Sequence, residues 1–181
     1  AYAKPYAVAS RDQARADEFA AQYGIPVAYG SYAQMLDDPE VDLVYIATPH
    51  SLHAEQAIAC MEAGKHVLVE KAFTVNAEQA QHVIDVSRQT GRLCAEAIWT
   101  RYMPSRAMIR RLVEDGTIGD VCAISANLSY PTTHKQRIVD PELAGGALLD
   151  VGVYPLNFID MAIGGDGGGR SIARMETAMI P

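Results

Sequence analysis

The sequence is poor in cysteine, poor in aromatic side chains and short of positive charge. Its three cysteines, Cys60, Cys94 and Cys122, are odd in number and widely spaced. They offer no disulfide framework and no metal-ligand spacing, so a reducing, cytoplasmic setting is expected. As small apolar side chains they read as buried structural thiols. Lys and Arg number 15 against 22 Asp and Glu, a formal net charge of −7. A nucleic-acid surface needs the opposite balance and is excluded as a partner class. No apolar run approaches the ~20 residues that span a bilayer, so no membrane helix is expected. No charged-then-apolar leader opens the chain either. What remains is ordinary for a globular protein: 181 residues, 49% apolar and 20% charged. That length suits one domain or parts of two.

Short apolar runs alternate with amphipathic segments over the first two-thirds, the pattern of βα units on a parallel sheet. Strands are expected at 6–10, 27–29, 41–47, 66–70 and 93–97. Helices are expected between them. Asp12 caps the first, Ser31-x-x-Gln34 forms a capping box, Ser51 starts a third helix and Asn76-x-x-Gln79 opens a long fourth. Gly24, Gly64, Gly91 and Gly116 each follow a helix, where a left-handed residue ends the spiral. After Glu96 the texture changes. A helix is expected over 104–114, and 121–130 alternates like a long strand with one open face. Gly145-Gly146 then precedes an apolar helix over 147–163, and the glycine-rich tail has no periodicity. The expected organisation is a nucleotide-binding domain at 1–97, the start of a second domain at 98–165 and a disordered tail at 166–181. The fold class is α/β: an incomplete doubly wound parallel sheet, then part of an α+β domain with a largely antiparallel sheet.

Open parallel sheets bind ligands beyond the carboxyl ends of their strands. Those ends carry Ser10-Arg11, Thr48-Pro49-His50, Glu70-Lys71 and Glu96. Any one of them is explained equally well as a strand simply ending in polar residues, whereas all together point to a site built from several loops. Ser10-Arg11 stands where a dinucleotide-binding sheet selects its ribose. A carboxylate there would repel a 2′-phosphate, while the arginine fork accepts one, so NADP is favoured over NAD. The competing reading is a surface arginine beside Asp12. Lys71, just past a buried strand, can stabilise a developing alkoxide, although Glu-Lys is a common dipeptide. Asp150 and Tyr154, four apart on an apolar helix, share a face and are costly to bury without purpose. The phenol pairs with an ammonium as a proton-transfer couple, since a cation favours phenolate. The alternative is that Asp150 pairs with an arginine and Tyr154 reaches out to solvent. His50 and His53 are i,i+3 without a third ligand, so no metal site is expected. Trp99, Tyr102 and Met103 read as core or pocket wall.

Three stretches carry a resemblance: Thr48-Pro49-His50 with His53, Ala63 to Lys71, and Gly145 to Tyr154. The sequence resembles the glucose–fructose oxidoreductase, inositol dehydrogenase and rhizopine-catabolism family. Glu96 to Arg101 together with Tyr154 is most similar to its trans-dihydrodiol and D-xylose dehydrogenase branch, which uses NADP. Other branches carry histidine at the Tyr154 position. The resemblance implies that Lys71 and Tyr154 are the catalytic pair and Asp150 a ligand of the substrate hydroxyl. It also implies that Glu70 partners the nicotinamide ribose, and that Ser10, Arg11, Thr48, Pro49, His53 and Lys71 lie along the cofactor. The implied activity is hydride transfer between NADP and a carbinol carbon of a sugar, polyol or trans-dihydrodiol. A homo-oligomer through the second domain's sheet is implied as well. Ala72 stands where that family usually has proline.

No Gly-x-Gly-x-x-Gly turn precedes Tyr6. In the strand order 3-2-1-4-5-6 the strand before that turn is central, between those ending at Ser10 and Ala47. Its absence is expected to expose their edges, and a chain without the pyrophosphate cradle is expected to be inactive alone. Any export signal would precede Ala1. The alternative reading is a non-catalytic, regulatory or partner-binding NAD(P) protein of the same fold.

Overall fold

The structure is a computed structural model and describes residues 3–132, 134–162 and 176. The chain divides into two compact units, Ala1–Ala97 with Pro141–Ala144, and Ile98–Asp140 with Gly145–Pro181.

The first unit is the parallel α/β layer that the alternating pattern predicts. Its strands are β1 (Ala7–Ala9), β2 (Val27–Tyr29), β3 (Leu43–Ile46), β4 (His66–Val69) and β5 (Cys94–Glu96). Its helices are α1 (Gln13–Tyr23), α2 (Tyr32–Leu36), α3 (His53–Glu62) and α4 (Ala77–Thr90). The caps are local and strong. Asp12 Oδ1 accepts from Arg15 N at 3.1 Å, Ser31 Oγ from Gln34 N at 3.3 Å and Asn76 Oδ1 from Gln79 N at 2.9 Å. Each satisfies one amide that the first helical turn leaves open. Gly24 and Gly91, at φ +65° and +67°, end α1 and α4 in the left-handed region that a Cβ disfavours. The third helix differs slightly from expectation: a 3-10 turn at His50–Leu52 leads into α3 at His53, not Ser51.

β1 pairs in parallel with β2, and β3, β4 and β5 form a second parallel sheet in that order. Among the described residues β1 and β3 each have a ladder on one edge only. This matches the expectation that the sheet is interrupted between them. Alternation along the strands sorts side chains by face. Val44, Ile46, Val67 and Val69 join Ala57, Cys60 and Met61 of α3 and Val83 and Val86 of α4 in one buried cluster. Leu43 and Tyr45, on the other face of β3, are 48% and 52% exposed.

The second unit holds α5 (Pro104–Glu114), the short α6 (Gln136–Val139) and α7 (Val153–Ala162). α5 keeps its expected bounds, with Pro104 in its first turn, where a missing N–H costs nothing. Two expectations are corrected. Residues 121–130 lie in no helix or strand. Alternation assigns faces, but a strand needs a ladder partner, and the described residues of this unit provide none. The helix after Gly146 is not α-helical throughout: Leu148–Gly152 is a π turn, and α7 follows. Gly145 is required here, since a Cβ would lie 2.4 Å from the Ile138 carbonyl oxygen. The expected tail at 166–181 lies outside the described residues apart from Glu176. No helix among the described residues is long and apolar enough to cross a membrane.

Candidate functional site

In the first unit the carboxyl ends of β3, β4 and β5 bring Thr48-Pro49-His50, Glu70-Lys71 and Glu96 to one edge of one sheet. The two strand-end turns are joined by His53. Its ring is 0% exposed, with Nδ1 at 2.7 Å from the Ala72 carbonyl oxygen and Nε2 at 2.8 Å from that of Thr48. The expectation that His53 lies along a cofactor is therefore revised. The ring has no surface left for a ligand and instead brackets the two turns. The Lys71–Ala72 peptide is cis. Phe73 N donates to Glu96 Oε1 at 2.8 Å, so the segment after Lys71 is held from β5 as well. The Thr48 hydroxyl donates to Gln56 Oε1 of α3 at 2.7 Å. His50 Nδ1 lies 3.1 Å from the Ala144 carbonyl oxygen, within the same unit.

Glu70 is fixed at both carboxylate oxygens. The Tyr45 hydroxyl donates to Oε1, and the Lys71 amide donates to Oε2 at 3.1 Å. Burial first, then the hydrogen bond to Glu70 and its charge, push the Tyr45 phenol up to about 12. At the end of β1, Ser10 Oγ accepts from Asp12 N at 3.3 Å, while Arg11 is exposed. Elsewhere in the unit, Asp38 accepts from the Tyr29 hydroxyl at 2.7 Å. The buried Lys65 donates to the Asp38 carbonyl oxygen at 2.6 Å, which closes a structural polar cluster.

Asp150 and Tyr154 stand in the second unit. Asp150 is 5% exposed and accepts from Arg137 Nη1 at 3.1 Å. The arginine partner weighed as an alternative in the sequence is thus present. Tyr154 Oη accepts from Trp99 Nε1 at 3.2 Å, with the rings edge to face. The expectation that the two side chains share a face rested on α geometry. A π turn instead spans 148–152, and Asp150 meets Arg137 while Tyr154 meets Trp99. Trp99, Tyr102 and Met103 are 60%, 67% and 41% exposed, so of the two readings, core or pocket wall, core does not hold. Among the described residues no group of three or more His, Cys, Asp or Glu side chains could hold a metal ion. The thiols also divide. Cys60 is buried, Cys94 is partly buried and Cys122 is exposed, so only the first is the buried thiol expected of all three.

Residues 2–98 match the oxidoreductase family with an NAD-binding Rossmann fold, and residues 107–168 match the GFO/IDH/MocA C-terminal domain. The chain belongs to this family. The trans-1,2-dihydrobenzene-1,2-diol dehydrogenase of Macaca fascicularis is 43% identical over 159 residues, covering 88% of this chain and 48% of that protein. D-xylose 1-dehydrogenase (NADP(+)) of Hypocrea jecorina is 45% identical over 141 residues, covering 72% and 36%. Among solved structures, a 3-ketoreductase from Actinomadura kijaniata in complex with NADP and TDP-benzene superposes with a TM-score of 0.81. It is 34% identical, with 89% of this chain and 50% of that one covered. The chain thus spans about half the length of the curated relatives it matches.

For this member of the GFO/IDH/MocA oxidoreductases, sequence reasoning missed Tyr45 and Arg137. A signal existed for Tyr45. In the parallel register Tyr45 faces Leu68, which puts Glu70, two residues on, diagonally across from it on the same face. Arg137 gave none, because its contact with Asp150 is made across a loop.

Proposed function

We propose that this chain carries cofactor-binding and catalytic residues of an NADP-dependent oxidoreductase acting on a carbinol carbon of a sugar, polyol or trans-dihydrodiol. The observation that carries the reading is the row of polar groups at the carboxyl ends of β3, β4 and β5, together with an exposed Arg11 at the end of β1. This donor set fits a phosphorylated dinucleotide. Arg11 offers a bidentate fork to a 2′-phosphate, Ser10 presents no carboxylate to repel it, and Glu70 is held ready to accept from ribose hydroxyls. Thr48 and Pro49 shape the neighbouring turn, and relatives bearing NADP in their names support the choice over NAD.

A dinucleotide held by Ser10, Arg11, Thr48, Pro49 and Glu70 would supply the hydride acceptor for the carbinol carbon. The chain's own residues handle the rest. Tyr154 Oη takes the hydroxyl proton, and its orientation is set by the Trp99 indole N–H. Lys71 Nζ stabilises the developing alkoxide, and Asp150 accepts a substrate hydroxyl. The small-molecule substrate class follows from these groups, and a homo-oligomer is the expected assembly, checked by light scattering.

The test is turnover of the full-length protein with NADPH and NADH against a panel of aldoses and dihydrodiols. Lys71→Met or Tyr154→Phe is expected to lower kcat by about 10²- to 10⁴-fold and to leave NADPH affinity close to wild type. Undiminished turnover in either variant removes that residue from the mechanism. Arg11→Asp is expected to reverse the preference between the two cofactors.

A further inference from the structure

We propose that Tyr45 is a positioning residue that sets the carboxylate of Glu70 for the nicotinamide ribose, an inference that rests on the dinucleotide reading above. The placement follows from the sheet. β3 and β4 are parallel with Tyr45 opposite Leu68 and Ile46 opposite Val69, and Glu70 N extends the ladder to the Ile46 carbonyl oxygen at 2.9 Å. Side chains alternate, so Leu43 and Tyr45 share a face with Leu68 and Glu70, away from the buried valine and isoleucine face. From that position the phenol reaches diagonally along the strands to Glu70 Oε1.

A carboxylate at a strand end can rotate. Here one oxygen is taken by the next residue's amide at 3.1 Å and the other by a phenol from the neighbouring strand. Two contacts from different directions fix the plane of the group. An ionised carboxylate has about four acceptor positions, so about two remain for a vicinal diol. Orienting those acceptors before the ligand arrives removes part of the ordering cost of binding. The phenol suits the task because it stays protonated well above its ordinary 10.0, and so remains a donor wherever Glu70 is ionised.

The test compares two probes in the full-length protein by calorimetry. NADPH contains the nicotinamide ribose, whereas adenosine 2′,5′-bisphosphate contains only the adenosine end. Tyr45→Phe keeps the ring and removes the hydroxyl. It is expected to weaken NADPH about tenfold and leave the bisphosphate unchanged, as suits loss of a charge-assisted hydrogen bond. Glu70→Gln, which alters the same contact from its other side, is expected to weaken NADPH as well. The double variant should then be no weaker than Glu70→Gln alone, because Tyr45 acts through Glu70. Equal weakening of both probes by Tyr45→Phe, no weakening at all, or additive losses in the double variant overturns the inference. A wild-type protein that binds neither probe overturns the dinucleotide reading and this inference with it.

Discussion

At the scale of single residues, the structure separates groups that the sequence lists alike. Cys60 is buried and pushed up to about 11, chiefly by burial with the Cys94 thiol adding to it, whereas Cys122 is exposed. Thiolate is the reactive form, so alkylation at neutral pH should label Cys122 first and Cys60 only on unfolding. Mass spectrometry of a timed iodoacetamide reaction checks the order, and early labelling of Cys60 would contradict its burial. Asp150 shows what one position reveals by itself. A lone carboxylate in an apolar stretch announced that it needed a partner, but the partner, Arg137, is 13 residues away and is 48% exposed at its side chain. Arg137→Ala leaves a buried carboxylate without that donor. A loss of about 1–2 kcal/mol is expected, less than for a fully buried pair because solvent screens the arginine. Urea denaturation measures it.

At the scale of elements, helix starts with a local side-chain cap were the most legible. Asp12, Ser31 and Asn76 each cap a helix through an amide three residues on, and a contact that local can be read from spacing. Asn76→Ala should therefore cost about 1 kcal/mol in a denaturant titration, while Gln81→Ala, on an exposed turn of the same helix, should cost close to nothing. The 121–130 segment was misread because alternation describes one strand, whereas a ladder requires two. The π turn at Leu148–Gly152 was invisible for another reason: its apolar residues suit an α or a π turn equally well. Gly145 is where this element tolerates least. A methyl there meets the Ile138 and Asp140 carbonyl oxygens at 2.4 and 2.8 Å, so Gly145→Ala should destabilise by about 1–3 kcal/mol through steric clash, whereas Gly91→Ala meets no atom within 4 Å and its cost, about 1 kcal/mol, comes from the left-handed backbone at φ +67°.

At the scale of the whole molecule, the response to alkali can be worked out from where its perturbed groups lie. Tyr6, Tyr29, Tyr45, Cys60 and Cys94 all stand in the first unit, and all are raised above their ordinary values. The causes differ. Tyr29 is raised to about 12 first by its hydrogen bond to Asp38, and the thiols to about 11 first by burial. In every case the folded chain holds a proton that the unfolded chain has already released, so stability falls as pH rises. For the thiols the contribution is intact below 9.0 and lost on approach to about 11. For Tyr29 and Tyr45 it is intact below 10.0 and lost towards about 12. The net charge of −7 grows more negative over the same range, and self-repulsion adds to the loss. Circular-dichroism melting from about pH 8 to about pH 11 should show a midpoint that holds and then declines, with the first unit's amides losing exchange protection first. Tyr29→Phe removes one of these protons and should flatten the upper part of the decline. A midpoint that is level through pH 11, or a decline led by the second unit, would place the perturbed groups elsewhere than in the β1–β5 layer.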